Sequence, residues 1–315
     1  GDSLPKGVRP LGLEEGLAKA RDDGWTGELV RSALEAAKAA GEASVWNNTQ
    51  PMFRRVTQGE VRMLTRGTIK DDTIDTRGDD DMEVLNRSFY ATLVASMLLS
   101  TWASIVIPNM DLPFFRGSDT RFFVTLAIGS SPFAFLGMGL SLPGLLQALL
   151  IQGRRIISNE FRDRLVRHEA GHFLVGYTLG VPIAEYKADD AILNACQFFE
   201  DGAFEGPARR LTHKQVDVLC AVSMAGVVAE SIAYGKGLGG YADLSQLQGF
   251  LGRATPLLND GEQQEKVRWG SVLAYTILRT HEEAFEALVE CMERGDSVET
   301  CIRVIEAVGR DEKPN

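Results

Sequence analysis

The heptapeptide RHEAGHF contains two histidines, His168 and His172, that lie four positions apart. On an α-helix, residues with this spacing project from the same face one turn apart, so both imidazoles can bind one metal ion. Glu169 is rotated by about 100° around the helix axis, where its carboxylate can hydrogen-bond a metal-bound water as a general base. The small residues Ala170 and Gly171 are expected to let metal and substrate approach the helix. The stretch predicts a catalytic zinc site with a water activated by Glu169.

A catalytic zinc needs a third protein ligand, which is a His, Asp or Glu. The chain has two further histidines, His213 and His281, and it has Asp243 within GGYADLSQL. A lone histidine more often packs in a core or lies at the surface, so the residues alone leave this ligand open. The alternative for the HExxH pair is a helix with one packed and one exposed histidine. Because a chance HExxH is expected only about 0.004 times in a chain of this composition, metal binding is favoured.

Composition excludes some functions. The chain has 315 residues and a net charge of -10, which is long enough for two domains with a sizeable core. A protein of this charge repels the phosphate backbone, and the sequence has no concentrated basic patch, so no nucleic-acid partner is expected. The cysteines have no metal-ligand spacing and are interpreted as buried thiols in a reducing compartment. They are Cys196, Cys220, Cys291 and Cys301.

Two uncharged stretches, residues 88–110 and 122–153, are long enough to cross a bilayer. They predict a transmembrane hairpin over residues 88–153, with spans at about 88–108 and 130–151, and membrane lipid as a partner. The alternative is a pair of buried core helices. Pro132, Pro143 and the neighbouring glycines favour the membrane, where such residues are more common than in soluble helices.

Basic residues predict the orientation of this hairpin. Three precede the first span, two lie in the connecting loop and five follow the second span: Lys70, Arg77 and Arg87; Arg116 and Arg121; Arg154, Arg155, Arg162, Arg164 and Arg167. Because positive residues concentrate on the inner side of a membrane, both termini are predicted on that side.

Outside the hairpin, helical periodicity dominates, so the predicted fold class is mainly α. Residues 1–66 are predicted as an N-terminal helical module and residues 67–87 as an acidic, solvated linker. Residues 154–315 are predicted as an all-helical domain with at most a small strand element. The only strand candidates lie between Val181 and Phe199.

A longer pattern extends the HExxH motif. RHEAGHFLVGYTLGVPI is followed by LTHKQVDVLCAVSMAGVVAESIAYGKGLGGYADLSQL, and together they resemble the peptidase domain of FtsH-type zinc metalloproteases. The resemblance covers about residues 160–308. It implies that His168, His172 and Asp243 bind Zn²⁺, that Glu169 is the general base, and that Glu230 lies beside the site as a supporting or structural residue.

One departure from that family concerns the ATPase. FtsH proteins carry an ATPase, but this sequence contains no GxxxxGK[ST] phosphate-binding loop. It resembles the FtsH-like membrane proteins of plant and algal plastids that lack the ATPase. This resemblance implies a chloroplast inner-envelope or thylakoid protein with stromal termini. Its expected partners are protein substrates or membrane-complex subunits, and a separate ATPase or an FtsH protein.

Three functions follow as hypotheses. The first is a membrane-anchored, ATP-independent zinc metalloendopeptidase, and the alternative is a proteolytically idle FtsH-like subunit with a structural or assembly role in a plastid membrane complex. A third is an intramembrane protease, in which HExxH lies on an apolar spanning helix. The residues before His168, RRIISNEFRDRLVR, are too charged for a bilayer interior and disfavour the third hypothesis.

Overall fold

The computed structural model describes residues 12–70, 79–109, 118–141, 159–186, 196–199, 210–237 and 240–311. In these ranges the chain is mainly helical, which confirms the predicted fold class. The α-helices are α1 (Leu13–Asp22), α2 (Gly27–Ala39), α3 (Gln58–Leu64), α4 (Asp79–Val106), α5 (Ser118–Gly129), α6 (Ser131–Ser141), α7 (Asn159–Thr178), α8 (His213–Tyr234), α9 (Tyr241–Leu251), α10 (Asp260–Thr280), α11 (Glu282–Glu293) and α12 (Val298–Asp311). A 3-10 helix, Ile107–Asn109, follows α4.

Four short strands complete the described elements: β1 (Ile183–Glu185), β2 (Gln197–Phe198), β3 (Leu211–Thr212) and β4 (Ala254–Thr255). β1 and β2 pair antiparallel, and β3 and β4 pair parallel. The first pair lies where the sequence placed its strand candidates, although residues 187–195 are outside the described residues. The second pair was not predicted, because strands of two residues are too short to show the alternation that marks a strand.

The chain divides into two compact units. The core unit contains the described residues of 12–70, 160–186, 196–199, 210–237 and 240–311, and the hairpin unit contains residues 79–109 and 118–141. The core unit has one hydrophobic cluster, to which both the N-terminal helices and the HExxH region contribute. Residues 12–66, predicted as a module of their own, therefore share a core with the HExxH region.

The long helix α8 is the centre of the core unit. Thr212 and Gln215 form a capping box at its start, and Gly235 ends it with a φ of 74°, a conformation that glycine adopts at little cost. α8 packs along α10, and between them Lys266 pairs with Asp217 at 2.5 Å. The Lys266 ammonium also lies 3.6 Å from the centre of the Phe53 ring. The buried charge is thus compensated by a carboxylate and by an aromatic face.

Glu306 on α12 joins the N-terminal segment to the HExxH helix. Its fully buried carboxylate accepts hydrogen bonds from the backbone amides of Val45 and Trp46, at 3.0 and 2.9 Å. It also accepts a 2.7 Å hydrogen bond from the Tyr177 hydroxyl on α7. The Trp46 and Tyr177 rings pack 5.1 Å apart beside it. One carboxylate therefore satisfies donors from two separate parts of the chain, which fixes α7 against the N-terminal segment.

The hairpin unit begins earlier than the sequence predicted. α4 starts at Asp79, so residues 79–87 of the predicted linker are helical, while residues 71–78 lie outside the described residues. The stretch Phe89–Asn109 is long and apolar enough to cross a membrane, and only 11% of its most apolar window is buried. This stretch matches the first predicted span.

The second predicted span is described only in part. α5 and α6 meet at an angle of 41°, as in a broken span or a re-entrant loop, while residues 142–151 lie outside the described residues. The Ser100 hydroxyl on α4 donates to the Gly129 carbonyl at 3.0 Å, and Phe89 packs 5.1 Å from Phe135. α5 and α6 therefore pack against α4 within the hairpin unit.

The helix α8 is apolar because it is buried in protein. His213–Tyr234 is also long and apolar enough to cross a membrane, but 83% of its apolar window is buried in the core unit. The described residues thus contain two such helices, or three candidate spans if the bent pair is counted as one span. In the hairpin unit, by contrast, large apolar side chains are exposed, as lipid-facing side chains would be: Tyr90, Val94, Met97, Leu98, Leu99, Trp102, Ile105, Phe122, Phe123, Leu126, Phe133, Leu136 and Leu140.

Replacement of Glu306 tests the junction between the N-terminal segment and α7. In the parent protein, the Glu306 carboxylate accepts hydrogen bonds from Val45, Trp46 and Tyr177. Glu306→Gln replaces one of the accepting oxygens with an NH₂ group, which is itself a donor. Hydrogen bonds to charged groups contribute about 1.5–3 kcal/mol each. We expect the free energy of unfolding to fall by about 3 kcal/mol and Tm by about 6–12 °C, measured by thermal unfolding of the full chain in detergent. The exposed control Glu283→Gln is expected to leave Tm unchanged. An unchanged Tm for Glu306→Gln would contradict the assigned role.

Candidate metal centre

The HExxH motif lies in the middle of α7, on a buried turn. His168, Glu169 and His172 are 6%, 8% and 7% exposed, although α7 begins with the charged sequence NEFRDR. The helix ends at Thr178, and Gly180 follows with a φ of 77°. α7 therefore carries its polar motif into the core, where each polar atom needs a partner.

Two glycines allow α7 to pack closely against α8. A Cβ atom at Gly171 would lie 2.7 Å from the Ala225 carbonyl oxygen, and one at Gly226 would overlap the His168 ring. Ala170 is fully buried in the hydrophobic cluster. The small residues of the motif thus serve helix packing, and this corrects the interpretation that Ala170 and Gly171 leave room for metal and substrate.

Asp243 joins the two histidines. It lies in the first turn of α9, and its Oδ2 atom is 2.8 Å from His168 Nε2 and 3.4 Å from His172 Nε2. One ligand atom from each of the three residues lies within 4.8 Å of the others. Within the described ranges this is the one group of three or more His, Cys, Asp or Glu side chains found to converge in this way. The three residues can hold a metal ion.

The second nitrogen of each imidazole is held by another group. His168 Nδ1 lies 2.8 Å from Glu230 Oε1, and His172 Nδ1 donates to the Val222 carbonyl at 2.7 Å. Both partners are on α8. Histidines that bind metals usually donate their other N–H to a carboxylate or a carbonyl in this way, which fixes the ring and directs the free nitrogen at the metal.

The electrostatics of the cluster favour a cation. Because His172 Nδ1 carries the proton that it donates to Val222, a neutral ring presents a lone pair at Nε2, which faces a carboxylate oxygen of Asp243. His172 Nε2 is a buried atom that makes no hydrogen bond. Two acceptors that face each other repel unless a proton or a metal ion lies between them, and this arrangement fits the donor set of a metal site.

The pKa shifts of the three residues also favour positive charge at the site. Burial lowers the pKa of His168, but the Asp243 and Glu230 carboxylates outweigh it and hold this pKa well above its usual value. Burial also lowers the pKa of His172, but the Asp243 and Glu169 carboxylates together hold it above its usual value. For Asp243, burial raises the pKa, but the two imidazoles outweigh that effect and hold it below its usual value. The site stabilises positive charge between the ligands.

Glu169 lies on the same turn but is not part of the three-residue group. Its Oε2 atom accepts a 2.6 Å hydrogen bond from the backbone amide of Cys196, next to β2. Burial raises the pKa of Glu169, and the two histidines lower it by less. β2 packs along α7 because Gly176 has no side chain where the Phe198 ring lies. This strand segment fixes the position of the Glu169 carboxylate.

Glu230 lies beside the metal centre, whereas the other two histidines lie outside it. Glu230 contacts His168 directly, while its Oε2 atom lies 3.9 Å from the Arg164 guanidinium. His213 Nε2 lies 2.8 Å from the Pro256 carbonyl, and His281 contacts Asn48, so neither joins the group.

Neither the Val222 carbonyl nor the Cys196 amide was predicted from the sequence. Backbone groups carry no residue-specific signal, and the glycine at position 226, a sign of close helix packing, was not used in the prediction.

Comparisons with protein-family models, with curated proteins and with solved structures found no match to this chain. The assignment of the site therefore depends on the geometry of its residues and on the motif.

Metal content tests the three-residue group. We expect one metal ion per chain after purification of the full chain in detergent, measured by elemental analysis. His172→Ala and Asp243→Ala each remove a ligand and are expected to reduce the metal content at least tenfold after dialysis against a chelator. His281→Ala removes a histidine outside the group and is expected to keep full occupancy. Full occupancy in both ligand variants would contradict the assignment.

Proposed function

We propose that this protein is a membrane-anchored, ATP-independent zinc metalloendopeptidase with an FtsH-like peptidase domain. One observation carries the proposal: Asp243, 75 residues after His168, brings its carboxylate to the two imidazoles of an HExxH helix. Three protein ligands of this kind, with a glutamate on the same helix turn, are the residue set of a catalytic zinc centre.

Zinc is the proposed metal because its common ligands are histidine nitrogens and carboxylate oxygens, as in this group. His168, His172 and Asp243 would hold it. When bound, zinc supplies a Lewis acid that polarises a carbonyl and lowers the pKa of water to about 7. Glu230 and the Val222 carbonyl orient the two imidazoles, so the ligands keep their directions without the metal having to order them.

Glu169 is the proposed general base. The Cys196 amide holds its Oε2 atom, so Oε1 is the oxygen that takes a proton from the attacking water. The same carboxyl group then delivers the proton to the leaving amine, which completes hydrolysis of the peptide bond. Burial of the site excludes bulk water around this carboxylate and strengthens its electrostatic interactions.

The proposed substrates follow from the absence of a phosphate-binding loop in these 315 residues. In this proposal, unfolding driven by ATP depends on a separate ATPase or an FtsH partner. We infer that the substrates are loosely folded proteins or segments that emerge from the membrane. The FtsH resemblance over residues 160–308 supports this choice of reaction.

A second function is favoured by the burial of Glu169. The carboxylate of the proposed base is only 8% exposed, and its Oε2 atom is already bound by the Cys196 amide. A protein in which the remaining oxygen stays closed to substrate would bind zinc without hydrolysing peptides. It would then act as a structural or assembly subunit of a membrane complex.

The proposed location follows from the hairpin unit and the resemblance. The exposed apolar side chains of α4, α5 and α6 support insertion in a bilayer, and eight flanking basic residues against two support termini on one side. The likeness to plastid FtsH-like proteins supports a chloroplast inner-envelope or thylakoid location with stromal termini.

Hydrolysis of an unstructured protein tests the proposed reaction. In Glu169→Gln the base is lost but the three ligands remain, so we expect unchanged zinc content and a loss of cleavage of about 10²–10⁴-fold. Casein cleavage by the full chain in detergent is the measurement, and Glu290→Gln, an exposed residue on α11, is the control. Equal cleavage by Glu169→Gln and the parent protein would exclude the mechanism. Zinc in the parent without cleavage would favour the structural subunit.

Membrane topology tests the hairpin. We expect the full chain to stay in the membrane after alkaline carbonate extraction, because the exposed apolar surface needs a lipid environment. In sealed inside-out vesicles, added protease is expected to remove tags from both termini, while a tag inserted at residues 110–117 stays protected. Release by carbonate would contradict membrane insertion, and protection of one terminal tag would contradict the hairpin.

A further inference from the structure

Two cysteines that have no role in the metal centre lie in contact. Cys291 on α11 and Cys301 on α12 are both fully buried, and their sulfur atoms are 3.3 Å apart. Both are free thiols. A disulfide bond needs about 2.05 Å between the sulfurs, so closure of this gap requires a movement of little more than 1 Å.

The pair lies at the corner of a helical hairpin. Cys291 is two residues from the end of α11, and Cys301 is three residues after the start of α12. Residues 293–295 of the corner are exposed, and Gly295 has a φ of 73°. Helix ends open locally more easily than helix centres. We therefore expect local opening of the corner to give a reagent access to the sulfurs.

Polar groups surround the two sulfurs. The Cys291 thiol donates to Asp296 Oδ2 at 3.3 Å, and the Cys301 thiol lies 3.7 Å from the Tyr186 hydroxyl. That hydroxyl donates to the Asp296 carbonyl. Tyr186 directly follows β1, so the thiol pair is linked by hydrogen bonds to the strand pair that supports the metal centre.

We propose that Cys291 and Cys301 form a site of reversible oxidation to a disulfide, by exchange with a small-molecule or protein disulfide. One cysteine thiolate attacks the oxidant's sulfur, and the first oxidant thiolate leaves. The second cysteine thiolate then attacks the mixed disulfide, the Cys291–Cys301 bond forms, and the second oxidant thiolate leaves. The two protons of the cysteines pass to the leaving thiolates, so two protein thiols are oxidised and one oxidant disulfide is reduced.

The exchange is expected to be slow. Burial raises the pKa of both thiols, which keeps the reactive thiolate scarce at neutral pH. Uncatalysed exchange at such thiols takes minutes to hours. Oxidation also removes the thiol hydrogen of Cys301 that faces Tyr186, so the end of β1 loses one contact. This inference does not depend on the proposed peptidase activity.

Cys196 is the competing partner. Burial raises the pKa of its thiol, and the nearby Glu169 and Cys301 side chains raise this pKa further. The Cys196 amide binds Glu169. A Cys196–Cys301 disulfide would pull on the segment that holds the proposed base. The 3.3 Å distance favours Cys291, and the experiment separates the two pairings.

Peptide mapping tests the site. We expect the full chain in detergent, incubated with oxidised glutathione, to lose two hydrogens (about 2 Da) and to yield a linked peptide that contains Cys291 and Cys301. Dithiothreitol is expected to reverse the change. Cys291→Ser and Cys301→Ser are each expected to abolish the linked peptide, while Cys196→Ser and Cys220→Ser keep it.

Two results would overturn the proposal. One is a linked peptide that forms in urea but not in the folded chain. This result would show that the two thiols pack together in the folded chain but do not react there. The other is a link between Cys196 and Cys301 that disappears in Cys196→Ser. Hydrogen exchange provides a second readout, because a disulfide at the corner is expected to slow exchange at residues 292–300 in the oxidised chain. Unchanged exchange in fully linked protein would show that the bond does not constrain the corner.

Discussion

The close approach of α7 and α8 is the constraint on which the metal centre depends. Gly171 meets the backbone of α8 at Ala225, and Gly226 leaves the volume that the His168 ring occupies. A side chain at either glycine would separate the helices, and the separation would remove the partners of both imidazoles. The buried polar motif is tolerated because α8 supplies an acceptor for each ring nitrogen that is not directed at Asp243.

A second constraint is the balance of charge inside this packing. Asp243 comes from a different helix, and its carboxylate oxygen faces both imidazoles, so a proton or a metal ion must lie between these groups. Burial makes the requirement stronger, because charges interact more strongly where water is excluded. The buried carboxylate of Glu306 also needs compensation, and it accepts hydrogen bonds from Val45, Trp46 and Tyr177. Polar groups in the core unit thus connect segments that are far apart in sequence, and the N-terminal helices become part of the unit that holds the site.

Two helices of similar hydropathy have opposite surroundings. Phe89–Asn109 and His213–Tyr234 both meet the length and apolarity of a membrane span, yet the first is mostly exposed and the second mostly buried. Hydropathy measures the cost of contact with water, and burial in protein and burial in lipid both avoid that cost. The structure shows which of the two apolar stretches the core unit covers.

The sequence by itself determined the helical class, the apolar hairpin stretch, and the presence of two histidines on one helix face with a glutamate next to the first of them. These properties follow from local periodicity and from spacing within a few turns, which any helix imposes. The choice of Asp243 over His213 and His281 rested on resemblance alone, because contact between positions 75 residues apart depends on packing. Only the tertiary structure brought that carboxylate to the imidazoles, gave Gly171 its place against α8, and joined the N-terminal helices to the core. Each of these depends on contacts between distant segments, which no local pattern encodes.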